Sequence, residues 1–127
     1  MIDGMFNQTN YVAAKKLLDV TALRHEAIAS NLANVETPHY KRVDIAPVFA
    51  TELRQAIASG DSARVGEAQP RIATDSTAIS QRKDGNTVDL ESELLRMNQN
   101  YLEHQLETQL VSGTMLRLRM AITGRSA

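Results

Sequence analysis

Apolar residues recur at alternating spacings of three and four near both ends of the chain. The first such stretch runs from about Gln8 to Asn34. There Tyr11, Ala14, Leu18, Thr21, His25, Ile28, Leu32 and Val35 keep the rhythm, and six of these eight are apolar. No Pro or Gly interrupts it, so the pattern predicts one long helix with a seam turned toward another helix. Asn7 or Thr9 can cap its start by accepting a backbone N–H. The helix must stop near Glu36, because Thr37 precedes Pro38, whose ring pushes the preceding residue out of the α region.

The second stretch runs from Asp89 to Thr123. Leu90, Leu94, Met97, Tyr101, His104, Thr108, Val111, Met115, Leu118 and Ile122 keep the same spacing, and eight of these ten are apolar. Leu95, Leu102, Leu106, Leu110 and Met120 add an adjacent strip, which makes the apolar face wider than one partner helix covers. Glu107 lies off both strips and is expected on the exposed face. Asp89, Glu91 and Glu93 at the start and Arg117 and Arg119 near the end complement the helix dipole, and Gly124 suits a left-handed cap. At a rise of about 1.5 Å per residue the last helix is roughly 50 Å long and the first roughly 40 Å.

Between them, Val48, Phe49, Leu53, Ala56 and Ile57 predict a short helix, with Glu52 and Arg54 outward and Gly60 closing it. From Gly60 to Thr87 the large apolar residues are only Val65, Ile72 and Ile79, too few to offset about 1–2 kcal/mol of backbone entropy per residue. A long irregular loop is expected there, with a strand-like stretch at Arg71-Ile72-Ala73-Thr74. The expected fold is therefore mainly α. Two long N- and C-terminal helices pair as an antiparallel coiled-coil-like hairpin, with a short helix and a long irregular loop between them. The divisions fall at residues 1–36, 37–88 and 89–127.

Composition removes several functions. A formal net charge of -1 over 127 residues provides no electrostatic footprint for nucleic acid. With no cysteine there is no disulfide framework, thiolate metal site or cysteine nucleophile. No run approaches the roughly 20 apolar residues of a membrane span, and the first residues lack both a basic region and an apolar core of a cleaved signal. Export, if it occurs, is expected by a route without a cleaved signal. Aromatic residues are scarce and Trp is absent, which favours helix pairing over a thick core.

Candidate chemistry is sparse. The common phosphate-loop, dinucleotide, nucleophile-elbow and zinc-protease motifs are absent, so neither a catalytic residue nor a cofactor is expected. His25 and His104 lie one in each long helix, and pairing can bring them together at a seam. A hydrogen-bonded interface role is favoured over a metal site. Asp84-Gly85-Asn86-Thr87-Val88-Asp89-Leu90-Glu91 fails as a calcium loop, because its glycine is at the second place and Val88 occupies the fifth. It reads better as a turn followed by Thr87 or Asp89 capping the last helix. Asn31 and Asn34, three apart on one helix face, can either cap the end of the first helix or reach backbone groups of a neighbour. The basic pairs Lys15-Lys16, Lys41-Arg42 and Arg82-Lys83 are expected on solvated faces.

In order along the chain stand Ser30-Asn31-Leu32-Ala33-Asn34, Thr37-Pro38-His39-Tyr40, Asp84 to Glu91, and the heptad-patterned last helix. This ordered set resembles the bacterial flagellar rod proteins, and Gly85-Asn86-Thr87-Val88-Asp89 opening the final helix is most similar to the proximal rod branch. The resemblance covers most of the chain except about residues 60–83. In that family the turn usually reads Thr-Pro-Gly-Tyr; here His39 replaces the Gly, and a type I turn accepts it.

The resemblance implies an axial component of the flagellar basal body, exported through the flagellar type III apparatus into a periplasmic rod. Its terminal helices would form an inner layer around the export channel. The implied partners are copies of itself, other rod proteins, and the adaptor joining the rod to the membrane-embedded ring. A soluble helical adaptor or export chaperone that clasps a partner helix is the competing reading of the same stripes. The expected assembly surface comprises Leu18, Ile28, Asn31, Leu32 and Asn34 on the first helix. On the last helix it comprises Leu90, Leu94, Met97, Tyr101, Leu102, Leu106, Val111, Met115 and Leu118. Thr37, Pro38, Tyr40, Gly85, Asn86 and Asp89 are the expected turn and cap residues.

Overall fold

The structure, a computed structural model, describes residues 8–79 and 82–124, apart from the side chains of Gln8 and Leu118. In chain order its elements are α1 (Gln8–Ala33), β1 (Val43–Ile45), α2 (Val48–Ser59), α3 (Ser62–Glu67), β2 (Ile72–Thr74) and α4 (Leu90–Thr123). The two long helices fall where the periodicity placed them. They run antiparallel: Asn31 meets Glu93 at one end, Thr21 meets Asn100 midway, and Tyr11 meets Met115 near the other end.

The apolar core is not between them. It lies between α1, α2 and α3, where Ala13 and Val20 pack with Phe49, Leu53, Ala56, Val65 and Ala68. A 12-residue helix bounded by Gly60 accounts for α2, since Phe49, Leu53 and Ala56 recur on one face and Gly60 takes φ 71°, donating its N–H to Ile57 O. Thr9 sits inside α1, where its hydroxyl donates to Gly60 O at 3.1 Å instead of capping its own helix; Asn7 lies outside the described residues.

The segment expected as one irregular loop holds more order. Asp61 caps α3 by accepting from the N–H groups of Ala63 and Arg64, and Val65 is buried completely against the core. The strand-like stretch is β2, which pairs antiparallel with β1 in the register Val43↔Thr74, Asp44↔Ala73 and Ile45↔Ile72. A few well-placed contacts, one cap and one ladder thus offset an entropy cost that the count of apolar residues alone could not.

Two turns bring the middle of the chain back to the helix ends. His39 takes φ 61°, so the type I reading at this position is corrected: the side chain stands in the left-handed conformation glycine would adopt. That conformation directs His39 N–H to Asp84 O at 2.9 Å, and the following residue accepts Thr87 N–H on Tyr40 O at 3.1 Å. Gly85 faces it at φ 80°, and a Cβ on Gly85 would lie 2.8 Å from His39 Nδ1.

These two positions respond oppositely to substitution. Gly85→Val meets both a disfavoured φ and the His39 ring, and is expected to destabilise by about 1–3 kcal/mol. His39→Gly relieves the left-handed strain and should leave stability within about 1 kcal/mol or raise it. Urea unfolding followed by circular dichroism measures both; equal losses would rule out this turn geometry.

Candidate assembly interface

The last carbonyls of α1 accept from the turn that follows, Ser30 O and Asn31 O from Asn34 N–H and Leu32 O from Val35 N–H. The carbonyls of that turn are in their place collected by one side chain from far along the chain. Asn86, fully buried, donates through Nδ2 to the carbonyls of Asn34, Val35 and Thr37 at 2.9, 3.1 and 2.8 Å, and its Oδ1 accepts Val88 N–H at 2.7 Å. Arg82 reinforces this by donating to Val35 O. Asn34 closes the same end locally, donating to Ser30 O and accepting from Thr37 Oγ1. Asn31 does the other thing open to it and reaches a neighbour: Nδ2 donates to Val43 O and Oδ1 accepts Val43 N–H, both at 2.9 Å. Tyr40 adds its hydroxyl to Asn31 Oδ1 at 3.3 Å.

Beside this lies a buried ionic cluster. Arg42, 3% exposed, pairs with Glu93, which is completely enclosed, and with Asp75 at 2.7 Å and Asp44 at 3.0 Å. Asn31 Nδ2 also donates to Glu93 at 3.2 Å, and Arg24 reaches Asp44 at 3.2 Å. Burial alone would lower the Arg42 pKa, but the hydrogen bonds and charges of Glu93 and Asp44 outweigh it and hold the pKa above its ordinary value. Burial would raise Asp44, yet Ile45 N–H and the two guanidiniums hold it below the usual carboxylate range. Asp75 is likewise lowered, against desolvation, by Thr77 and Arg42. Not all the basic pairs are solvated faces: Lys16 and Arg42 are buried, and Arg82 is tied to a helix end.

The α1–α4 contact is polar along its length. Asn100 Nδ2 donates to Thr21 O at 2.8 Å. Thr21 Oγ1 lies 2.9 Å from Leu18 O and from His104 Nδ1, and 3.3 Å from Glu107. The one Thr21 hydrogen is shared between two acceptors, Leu18 O and Glu107, and His104 Nδ1 completes the contacts of the hydroxyl. Glu107 is therefore on the α1 side, not the exposed face. Desolvation, with Glu103 nearby, raises its pKa against the opposing contact from Thr21.

This seam displaces the apolar residues. On the α1 side of α4 stand Glu93, Met97, Asn100, His104, Glu107 and Val111; Met97, His104 and Val111 belong to the expected stripe, whereas Glu93, Asn100 and Glu107 replace Leu94, Tyr101 and Thr108, each one residue earlier. Leu90, Leu94, Tyr101, Leu102, Leu106 and Met115 are exposed, Met97 and Val111 are half-buried, and the Leu118 side chain is outside the description. On α1, Leu18, Leu32 and Asn34 are half-buried, whereas Ile28 and Asn31 are enclosed within the chain and serve it internally. Of the turn and cap residues, Asn86, Tyr40, Thr37 and Gly85 meet at the joint, Pro38 is exposed on its turn, and Asp89 caps α4 by accepting Ser92 N–H. Arg42, Asp44, Asp75 and Glu93 were missing from the expected set. Glu93 shares the three-four phase of Met97, Asn100 and His104, so phase, read without regard to polarity, marks it. His25 and His104 line one groove, and no cluster of three or more metal-ligating side chains occurs among the described residues.

Fold and joint together define a helical-hairpin structural subunit, locked at one end and open along one helix. No protein-family model matches the chain. It is 34% identical over 113 residues to the flagellar basal body rod protein FlgB of Cereibacter sphaeroides, covering 80% of this chain and 84% of that protein. The FlgB of Escherichia coli (strain K12) is 31% identical over 115 residues, covering 78% and 82%. That of Borrelia hermsii is 30% identical over 115 residues, covering 76% and 83%. The chain belongs to the family of the flagellar basal body rod protein FlgB. As a member it is a structural, non-enzymatic subunit of the proximal rod.

Arg42→Met leaves Glu93 buried and uncompensated, and is expected to cost about 3–5 kcal/mol. The double change Arg42→Met with Glu93→Met should cost less than the sum of the single changes, because neither then strands a charge. Chemical denaturation of the four proteins measures the coupling. Since the folded pKa values of Asp44 and Asp75 are depressed, their stabilisation is complete above the ordinary carboxylate range and is lost as pH falls through the folded values. Glu107, raised, works the other way and favours folding more as pH falls. Asp75→Asn should therefore be less stable at pH 7 and lose less on acidification below about pH 4.

Proposed function

We propose that the chain builds the proximal rod by seating the uncovered face of α4 against neighbouring subunits, while the joint around Asn31, Arg42, Asn86 and Glu93 keeps α1 and α4 in register. The observation that carries this is the inversion of polarity on α4. Its α1 side is polar and hydrogen-bonded, whereas Leu94, Tyr101, Leu102 and Leu106 stand 42%, 62%, 67% and 59% exposed. A solvated helix has no use for such a stripe; a subunit among neighbours does. In this reading the partners are other copies of the chain, neighbouring rod proteins, and the adaptor that joins the rod to the membrane ring. The assembled product is the hollow drive shaft in the periplasm, reached through the flagellar type III export apparatus without a cleaved signal. No helix among the described residues is long and apolar enough to cross a membrane, which fits attachment to the ring through a partner. The shared stripes also suit an adaptor or chaperone, but family membership favours the rod.

Leu94 and Leu106 are the clean probes, since Met115 also accepts the Tyr11 hydroxyl at 3.0 Å. Leu94→Glu and Leu106→Glu change exposed sites and should alter the isolated fold by no more than about 0.5 kcal/mol. In an interface each places an unpaired carboxylate out of water, a cost of several kcal/mol repeated in every copy. Both variants should be exported at wild-type levels and be missing from purified basal bodies. Normal incorporation of both would refute the α4 face as the assembly surface.

A further inference from the structure

The groove between α1 and α4 is open and has a volume of about 710 Å³. Ala22, Met97 and Tyr101 give it apolar surface, His25 and His104 flank it, and Asn100 lines it as well. Glu26, the one acidic lining residue, is exposed. Among the described residues, the Asn100 Oδ1 is the buried side-chain polar atom without a hydrogen-bond partner. His104 is held at the edge of the groove by the contact of its Nδ1 with Thr21 at 2.9 Å. The groove therefore suits a largely apolar surface that brings hydrogen-bond donors and no carboxylate to face Glu26.

The opposite side of α4 is such a surface. Between Met97 and Leu116 the helix carries only two formal charges, Glu103 and Glu107. Both are drawn toward α1, Glu103 to Arg24 at 3.9 Å and Glu107 to Thr21 at 3.3 Å. What remains outward is Leu102 and Leu106 with Gln105 and Gln109, all exposed and spaced three or four apart on one helix face. Their amide groups are neutral donors.

We propose that the groove of one copy receives the leucine and glutamine face of α4 from a second copy. This rests on the rod-subunit reading and names the contact within it. Groove and face lie on different sides of the same subunit, so the contact is heterologous. It joins copies head to tail, and generates a ring where the rotation closes or a helical array with a free groove at one end and a free face at the other where it does not, rather than a closed two-fold dimer.

The chain has no cysteine, which makes site-directed crosslinking clean. Ala22→Cys marks the groove and Leu102→Cys marks the face. Differently tagged, the two full-length variants are co-expressed in flagellated cells lacking the native copy, and purified basal bodies are treated with a short bis-maleimide. The expected result is a mixed Ala22→Cys to Leu102→Cys adduct, a ladder when both changes are in one chain, and no dimer from either variant alone. Should Leu102→Cys not incorporate, Leu95→Cys on the same side of the helix replaces it. Dimers of one variant alone would overturn the head-to-tail contact. Basal bodies that contain both variants and give no mixed adduct, or only adducts to another rod protein, would overturn the second copy as occupant and leave the rod reading standing. Absence of even the wild-type chain from basal bodies would remove both.

Discussion

The pairing of Arg42 with Glu93 organises the molecule because neither residue can be solvated once the chain is folded. Glu93 belongs to the first turn of α4 and Arg42 to the extended stretch leading into β1, and Asn31 from α1 touches both Glu93 and the β1 backbone. Three segments distant in sequence are thus fixed by groups that each strand the others if displaced. Such clusters add little net stability compared with an apolar replacement, but they penalise every alternative register steeply. The α1–α4 register is set at this end. The remaining contacts, Thr21 with Asn100 and Tyr11 with Met115, then follow at the spacing that antiparallel helices impose.

That choice of a polar seam determines what the outside looks like. In an ordinary two-helix hairpin the apolar stripes meet and the polar flanks face water. Here α1 turns Ala13 and Val20 to the core with α2 and α3. It meets α4 through Tyr11, Thr21, Arg24 and Asn31. Among the described residues, the α4 leucines Leu94, Leu95, Leu102, Leu106 and Leu110 consequently stand exposed, and the longer helix carries most of the exposed large apolar side chains.

Much of this was legible in the residues. The two long helices, α2 with its Gly60 cap, the Asp89 and Gly124 caps and the extended stretch at β2 all follow from short-range patterns: spacing, capping and glycine placement. The excess apolar face of α4 was legible too, as a stripe too wide for one neighbour. What spacing could not supply was which stripe faces inward. Periodicity marks a phase, and the expected stripe does reach α1 at Met97, His104 and Met115, but at alternate turns Glu93, Asn100 and Glu107 take the inner place one residue before Leu94, Tyr101 and Thr108, so the assumption that apolar means inside fails at those turns. Arg42 was hidden for a related reason, since a Lys-Arg pair between a turn and a strand reads as surface until three carboxylates enclose it. His39 escaped because the left-handed turn is required by a partner, Asp84, that lies 45 residues away.

The resemblance motifs acquire a physical meaning from the same geometry. Asn31, Asn34, Tyr40, Asn86 and Thr87 are all drawn into one joint, where they satisfy the carbonyl end of α1 and the edge of β1. None of them needs to touch a neighbour to matter. A repeated structure demands that each copy present its outer face at a fixed angle, because an angular error in one subunit is multiplied along the array. A joint of buried directional hydrogen bonds holds that angle more tightly than apolar packing, which tolerates sliding and repacking at low cost. In the proposed assembly the division of labour follows: polar groups inside set the shape of the subunit, and the apolar surface outside would supply the energy of association.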